Sequence, residues 1–211
     1  MQLSKRLQTI ADSIPLNRNV IDVGCDHALL DIALVLDRNI HCTATDISAI
    51  AIEKAQETAK QYGVTDKITF YVNDGIKGLP IKKEDVIVIT GMGAHTMLSI
   101  LASLQEKHTL ILSAHKDTEL LRRTLCANGY FIQKEQLVFE KHWYFILTFK
   151  EGNKNYDEID YQIGPMARYH AEYIDDLYEK EKQVSFFRKE KTDLLKRIET
   201  DILPEIKKNT V

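Results

Sequence analysis

The residues of this 211-residue chain that could carry chemistry sit in short loops at the ends of apolar runs. The first is "VIDVGCDHALL", residues 20–30. Gly24 marks a tight turn after a buried run, as in a phosphate-binding glycine loop. Asp26 and Ala28 stand where such a loop carries its next glycines. A carboxylate there puts negative charge where a pyrophosphate would bind, at a helix N-terminus that favours an anion. The loop therefore fits an adenosine ligand without phosphates better than a dinucleotide. Asp26 and His27 are the candidate catalytic groups, and Gly24 and Cys25 the candidate ligand contacts. A lone loop histidine is as readily a structural or solvent-facing residue.

Three further positions fit the same ligand. Asp46, followed by Ile47, ends the next apolar run. Rossmann-type sites place an acid there against two ribose hydroxyls; a helix-capping aspartate is the plainer alternative. In "VNDG" (72–75), an acid can accept from an adenine amino group and Gly75 lets backbone approach. Asn73, Asp74 and Gly75 also make a good turn by themselves. In "TGMG" (90–93), Gly91 and Gly93 flank Met92 and allow close backbone approach or left-handed geometry. A proline-rich segment that grips exocyclic amines is absent from this position, which argues against methylation of such an amine. Arg6 lies on a short amphipathic stretch whose apolar face is Leu3, Leu7 and Ile10. It reads either as a solvated cap or as an active-site or phosphate contact.

The elements that must position these loops follow from periodicity. Strands are expected at residues 19–24, 41–46, 67–74, 85–93 and 109–114. Helices are expected at 28–37, 49–63 (capped by Ser48), 95–105 and 118–129 (capped by Asp117). Two β-rich segments, 130–140 and 142–151, read as an antiparallel hairpin. Five βα units closed by a hairpin resemble the Rossmann-like class I methyltransferases, an α/β fold. Residues 151–160 are polar and aperiodic, the best linker. Beyond Gly164 and Pro165 the pattern is helical, with a narrow seam at Met166, Tyr173, Leu177, Val184, Leu195, Ile198 and Ile202. Because one unsupported helix of that length is unfavourable, a coiled-coil helical hairpin is expected, with no glycine to mark its turn. The division is thus 1–155, a methyltransferase-type domain, and 156–211, a helical domain.

Composition sets the remaining bounds. The formal net charge is −3, with 28 Lys and Arg against 31 Asp and Glu, so any nucleic-acid partner needs a local basic face. Arg188, Lys189, Lys191, Lys196 and Arg197 cluster in the tail. The cluster reads as a phosphate contact or as a solvated coiled-coil face; Glu190, Asp193 and Glu199 interleave it, which favours the solvated face. No apolar run approaches the roughly 18 residues of a membrane helix. The N-terminus lacks a signal-peptide core. Cys25, Cys42 and Cys126 have no metal-like spacing, so no metal and a reduced, cytoplasmic setting are expected.

"LSKRL", "DVGCDHALL", "TGMGAHTM", "LRRTL…NGYFI" and "GP" before the tail together resemble the bacterial tRNA (adenine-22-N1)-methyltransferase family, over nearly the whole chain. Relative to that family, Cys25 replaces Ser, Leu29 replaces Tyr, Asp31 replaces Pro and Ala94 replaces Gly. "L-S-A-H" (112–115) replaces "L-Q-P-N". The resemblance implies an S-adenosylmethionine cofactor, a tRNA partner held partly by the helical tail, no membrane, and a monomer. It also implies that Leu29 and His115 face the target base, with Arg6 nearby. The alternatives are methylation of another RNA, a protein or a small molecule; a nicotinamide-dependent oxidoreductase; and a non-catalytic ligand-binding scaffold.

Overall fold

The computed structural model describes residues 1–209 of the chain. It falls into two compact units, residues 1–154 and the remainder from Asn155. In the first unit, β1 (Val20–Val23), β2 (Cys42–Asp46), β3 (Ile68–Val72), β4 (Val86–Thr90) and β5 (Thr109–Ser113) are parallel. β6 (Tyr130–Phe139) and β7 (Trp143–Glu151) form the antiparallel hairpin, and β7 pairs antiparallel with β5. The strand order is β3-β2-β1-β4-β5-β7-β6.

Val86 to Ile89 of β4 have no solvent exposure, as a central parallel strand with both faces covered requires. Alternation sorts the strand residues by face. Val20, Ala44, Val86, Val88 and Ile111 share a core with α1 (Lys5–Ser13), α2 (Leu29–Arg38) and α3 (Ala49–Gln61). Ile87, Ile89, Leu110 and Leu112 point the other way, where α4 (Ala94–Leu101) and α5 (Thr118–Ala127) pack together. A buried ion pair, Arg122 to Glu135 at 2.9 Å, clips α5 to β6.

Local signals explain most boundaries. Ser4 and Ser48 accept from Leu7 and Ala51 backbone N–H groups and cap α1 and α3. Asp117 does not cap α5 with its side chain; it takes a left-handed conformation instead. The expected helix over 95–105 ends at Leu101. Four of the five βα units are complete; the third lacks its helix, because the β3–β4 connection (73–85) contains none. Gly75 and Gly78 there adopt positive φ and Pro80 follows, which breaks helical propagation.

In the second unit, Asp157 and Asp160 form a capping box that starts α6 (Glu158–Gln162) inside the expected linker. Buried Arg168 reaches Asp157 at 2.9 Å, Asp160 at 3.2 Å and Glu205 at 3.6 Å. A long helix, α7 (Ala171–Arg188), is followed by α8 (Asp193–Arg197). One π turn (Ile198–Ile202) then leads into α9 (Leu203–Asn209). The turn between α7 and α8 is therefore Lys189–Thr192. Lys189 is left-handed at φ 57°; the N–H groups of Lys189 and Glu190 donate to the carbonyls of Phe186 and Ser185, a Schellman motif. Ser185 Oγ accepts from Thr192 N–H, and Thr192 Oγ1 donates to Glu181 at 2.6 Å while capping α8. The buried seam also shifts from expectation: Ile174 is fully buried, whereas Val184 is exposed.

The turn chemistry predicts two opposite effects. Lys189→Gly should stabilise the protein by up to about 1 kcal/mol, because glycine occupies the left-handed region without penalty. Thr192→Ala should cost about 1–2 kcal/mol through loss of the cap and the Glu181 bond. Urea denaturation of both variants measures the signs.

Candidate active site

The end of β1 turns through Gly24 at φ 77°. The N–H groups of Gly24 and Cys25 both donate to the Thr45 carbonyl, at 2.8 and 3.1 Å, so the loop is pulled across onto β2. A Cβ on Gly24 would displace the flexible Met92 methyl, so it is the positive φ that calls for glycine here. Asp26 and Ala28 are also left-handed, at φ 50° and 52°. Counted from Gly24, a G-x-G-x-x-G loop would carry its second glycine at Asp26 but its third at Leu29 rather than Ala28. Asp26 and Ala28 hold the left-handed conformation without glycine, at a cost of roughly 1–2 kcal/mol per residue.

Asp46 closes the loop from the neighbouring strand. Its Oδ1 accepts from Ser48 N–H at 2.9 Å and its Oδ2 from Asp26 N–H at 3.4 Å. Ser48, not Asp46, caps α3. A carboxylate offers about four acceptor sites, so Asp46 keeps capacity for two hydroxyls.

These residues surround a cavity of about 390 Å³ at the carboxyl edge of the sheet, where open α/β sheets bind ligands. Its walls bring together Arg6, Gly24, Cys25, Asp26, His27, Leu29, Asp46, Gly91 and Met92, all expected from sequence. Leu7, Asp22, Leu30 and Thr90 complete it. Ile47, Asn73, Asp74, Gly75, Gly93 and His115 are not on this wall. Asn73 is used locally: its Nδ2 donates to the Gly75 and Lys77 carbonyls, the plainer of the two readings of "VNDG". His115 donates its backbone N–H to the Met92 carbonyl and so joins the loops after β4 and β5. His27 Nε2 lies 3.7 Å from Asp26 Oδ1, and both are solvent-exposed. A larger cavity, about 830 Å³, lies against the starts of β4 and β5 at the amino edge. Its wall mixes leucines with charged side chains such as Lys83, Glu106, Lys107 and Glu151 and holds none of the expected site residues, so size does not identify the chemistry.

Asp22 was hidden inside an apolar strand. A carboxylate two residues before the Gly24 turn was the available signal. Burial pushes Asp22 up to about 6, against a hydrogen bond with Asp31 that lowers it, while the Asp46 charge raises it further. Asp31, with no solvent exposure, is pushed well above the carboxylate range by burial and then by the Asp22 charge. Neither Asp31 carboxyl oxygen has a partner of good hydrogen-bond geometry among the described residues. Its own backbone N–H and the Cys42 thiol lower it less than burial and Asp22 raise it, which favours the protonated acid as a donor to Asp22. Burial, followed by the Asp22 charge, also raises the Cys25 thiol, so Cys25 lines the wall as a neutral group rather than a nucleophile. Among the described residues, no cluster of three or more His, Cys, Asp or Glu is placed to hold a metal ion.

The cavity therefore presents three carboxyl groups, Asp22, Asp26 and Asp46, and one arginine. That set suits a cationic ligand with free hydroxyls and opposes a pyrophosphate. Arg6 is held at the rim: its backbone N–H donates to Glu140 at 3.0 Å, and its guanidinium lies 4.7 Å from the Tyr144 ring centre.

The strand order, the terminal antiparallel hairpin and a phosphate-averse pocket at the carboxyl edge define a Rossmann-like methyltransferase fold. Residues 3–147 match the family model described as "Methyltransferase domain", and the chain belongs to that family. It is similar to the tRNA (adenine(22)-N(1))-methyltransferase of Bacillus subtilis, 29% identical over 79% of this chain and 74% of the relative. Among solved structures it resembles a Streptococcus agalactiae protein of the NADB-Rossmann superfamily. That match has TM-score 0.81 and 27% identity, covering 99% of this chain and 97% of the other. It also resembles M. capricolum TrmK in complex with S-adenosyl-homocysteine. There the TM-score is 0.82 and identity 23%, covering 99% and 98%.

The carboxyl pair predicts a pH signature. An acid whose folded pKa is raised keeps its proton in the fold after the unfolded chain has lost it, so stability falls as pH rises. Asp31→Asn supplies a permanent N–H donor in place of that proton. The stability of the variant relative to the parent should therefore climb with pH, by up to about 1.4 kcal/mol per pH unit between about pH 5 and 7. Denaturation curves across that range test it; a pH-independent difference would mean that Asp31 is ionised in the fold.

Proposed function

We propose that this chain transfers a methyl group from S-adenosylmethionine to N1 of adenine 22 in tRNA. The observation that carries the reading is the ring of Asp22, Asp26 and Asp46 around the left-handed Gly24 turn, in a family of methyltransferase domains. The Bacillus subtilis relative supplies the substrate, as the name of that protein specifies it.

S-adenosylmethionine, when bound, supplies a methyl group activated on a positively charged sulfur. The pocket suits it on two counts. Its carboxyl groups favour a cation, and no phosphate has to be accommodated beside Asp26. Asp46 is assigned to the ribose hydroxyls through its free acceptor sites. Gly24, Cys25, Gly91 and Met92 line the donor, while Ile47, Asn73, Asp74, Gly75 and Gly93 extend its surroundings along the same strand ends. Arg6, Leu29 and His115 are assigned to the target base.

N1 of adenine has a free lone pair at neutral pH, so no base is needed before attack. The lone pair forms the new N–C bond as the methyl–sulfur bond breaks, and sulfur retains that electron pair. What the protein must supply is alignment and charge. The methylated ring is cationic, and Asp26 faces it with a carboxylate or takes the amino proton afterwards; His27, beside Asp26, orients the loop. N1 lies on the Watson–Crick edge, so the base must leave its pair or stack to be reached. Residues 1–155 act as the catalytic domain and 156–211 as the tRNA-holding domain, in a cytoplasmic monomer. No helix among the described residues is long and apolar enough to cross a membrane.

Incubation with total tRNA and methyl-labelled donor should place label in 1-methyladenosine alone. Label in N6-methyladenosine or in guanosine would sink the assignment. Asp26→Asn keeps tolerance of the left-handed conformation but removes the charge. Its kcat at saturating tRNA and donor should fall about 100-fold, with the unfolding midpoint unchanged; a full rate would strip Asp26 of its role.

A further inference from the structure

The end of α7 exposes what a folded protein normally hides. Phe186 and Phe187 are 79% and 82% exposed, the two most exposed large hydrophobic side chains of the described residues. Their rings meet edge to face, with centroids 5.8 Å apart and planes at 77°, so each leaves a face to solvent. Arg188 and Lys189 follow directly. Neither makes an ion pair among the described residues, whereas Lys191 is held by Glu199 at 2.7 Å and Lys196 by Asp193 at 3.1 Å. The basic cluster is therefore not uniformly solvated and self-paired. Three of its cations, Arg188, Lys189 and Arg197, make no ion pair among the described residues, and the first two are the ones next to the exposed rings.

The support beneath these residues is rigid. The Schellman bonds and the Ser185–Thr192–Glu181 network fix the turn that follows the rings. Holding two aromatic side chains in water on a fixed turn lowers the ordering cost of any contact they make. We propose that the hairpin tip, Phe186 to Lys189, is an RNA-contact element in which Phe186 and Phe187 stack on unpaired bases and Arg188 and Lys189 face the adjoining phosphates. The assignment rests on the tRNA reading above and adds the chemistry by which the helical unit grips its substrate.

Charge and shape favour RNA over the other occupants of an aromatic tip. Every base offers a π face, and arginine beside aromatic rings suits single-stranded segments. A membrane-surface helix needs a continuous apolar face, but α7 leads to the tip through Glu179, Lys180 and Lys182, which are exposed and charged. Carbonyls end α7, so a bare helix C-terminus would repel phosphate; the free side-chain cations reverse that local sign.

The test uses the full chain with tRNA. Phe186→Ala/Phe187→Ala should raise the Kd for tRNA about tenfold or more, with donor affinity and the unfolding midpoint unchanged. Phe186→Tyr/Phe187→Tyr should restore binding, and tRNA should quench the added fluorescence of Phe186→Trp. Arg188→Ala/Lys189→Ala should weaken binding and flatten its salt dependence. An unchanged Kd in the double-alanine variant overturns the proposal while leaving the methylation reading intact. So does a vesicle-binding or dimerisation activity that the same variant loses with its tRNA affinity preserved. A parent protein that neither binds nor methylates tRNA overturns both readings, and is told apart from tip failure because it needs no variant.

Discussion

The turn at Gly24 is the constraint on which the site depends. The Thr45 carbonyl takes two N–H groups, from Gly24 and Cys25, and draws the end of β1 across to β2. That crossing takes a left-handed residue at φ 77°, which glycine adopts without penalty, and it leaves the Met92 methyl packed against the turn. Once Gly24 is fixed, Asp26 is delivered to the Asp46 carboxylate and the loop closes on itself. Asp26 and Ala28 then remain left-handed without glycine's freedom, and buried Asp22 keeps its carboxyl toward the cavity beside protonated Asp31. Strain and desolvation are thus concentrated within one loop and the strand beneath it. Such costs persist where surrounding structure over-determines them, here through the paired sheet on one side and the Ser48-capped α3 on the other.

Much of this architecture was legible because it follows from period and from turn residues. Continuous β-branched runs mark the parallel strands, and the hairpin betrays itself through two β-rich segments with almost nothing between them. Asp46 was legible because strand-end geometry leaves few jobs for a carboxylate there. What escaped notice did so for physical reasons. Lys189 occupies a left-handed turn that glycine usually marks, so no residue signalled it. Asp22 lay in an apolar strand, where alternation reads a carboxylate as an exception rather than a wall of the pocket. "VNDG" offered a ligand contact and a local turn equally, and the Asn73 Nδ2 makes the turn through the Gly75 and Lys77 carbonyls. Asp117 promised a cap and instead took a left-handed conformation that does not aim its side chain at α5.

The replacement of Pro by Asp at position 31 gains its meaning only through burial. A proline at the first turn of a helix needs no partner for its missing N–H. A carboxyl in the same place needs either a counter-charge or a proton, and the nearest charged group is Asp22, itself an acid. Two like charges in a dry site cannot both ionise cheaply, so one holds a proton and donates it to the other. The effect on the pocket is electrostatic: Asp22 keeps an anionic carboxyl at neutral pH because Asp31 gives up its own ionisation.

The same carboxylates create a problem that the helical unit answers. A pocket with three acidic side chains, in a chain of net charge −3, cannot draw a polyanion by its own field. Affinity for RNA must therefore come from groups that act on something other than net charge, or from a local excess of cations. Base stacking is insensitive to the acidity of the pocket, and the unpaired Arg188 and Lys189 provide a local positive field of short range. The proposed division of labour between an acidic pocket and an aromatic, cationic tip would resolve the conflict between stabilising a cationic product and holding an anionic substrate. On the proposed role of Asp26, moving the cations into the pocket would neutralise the carboxylates assigned to the methylated ring, so binding and chemistry are better served on separate elements.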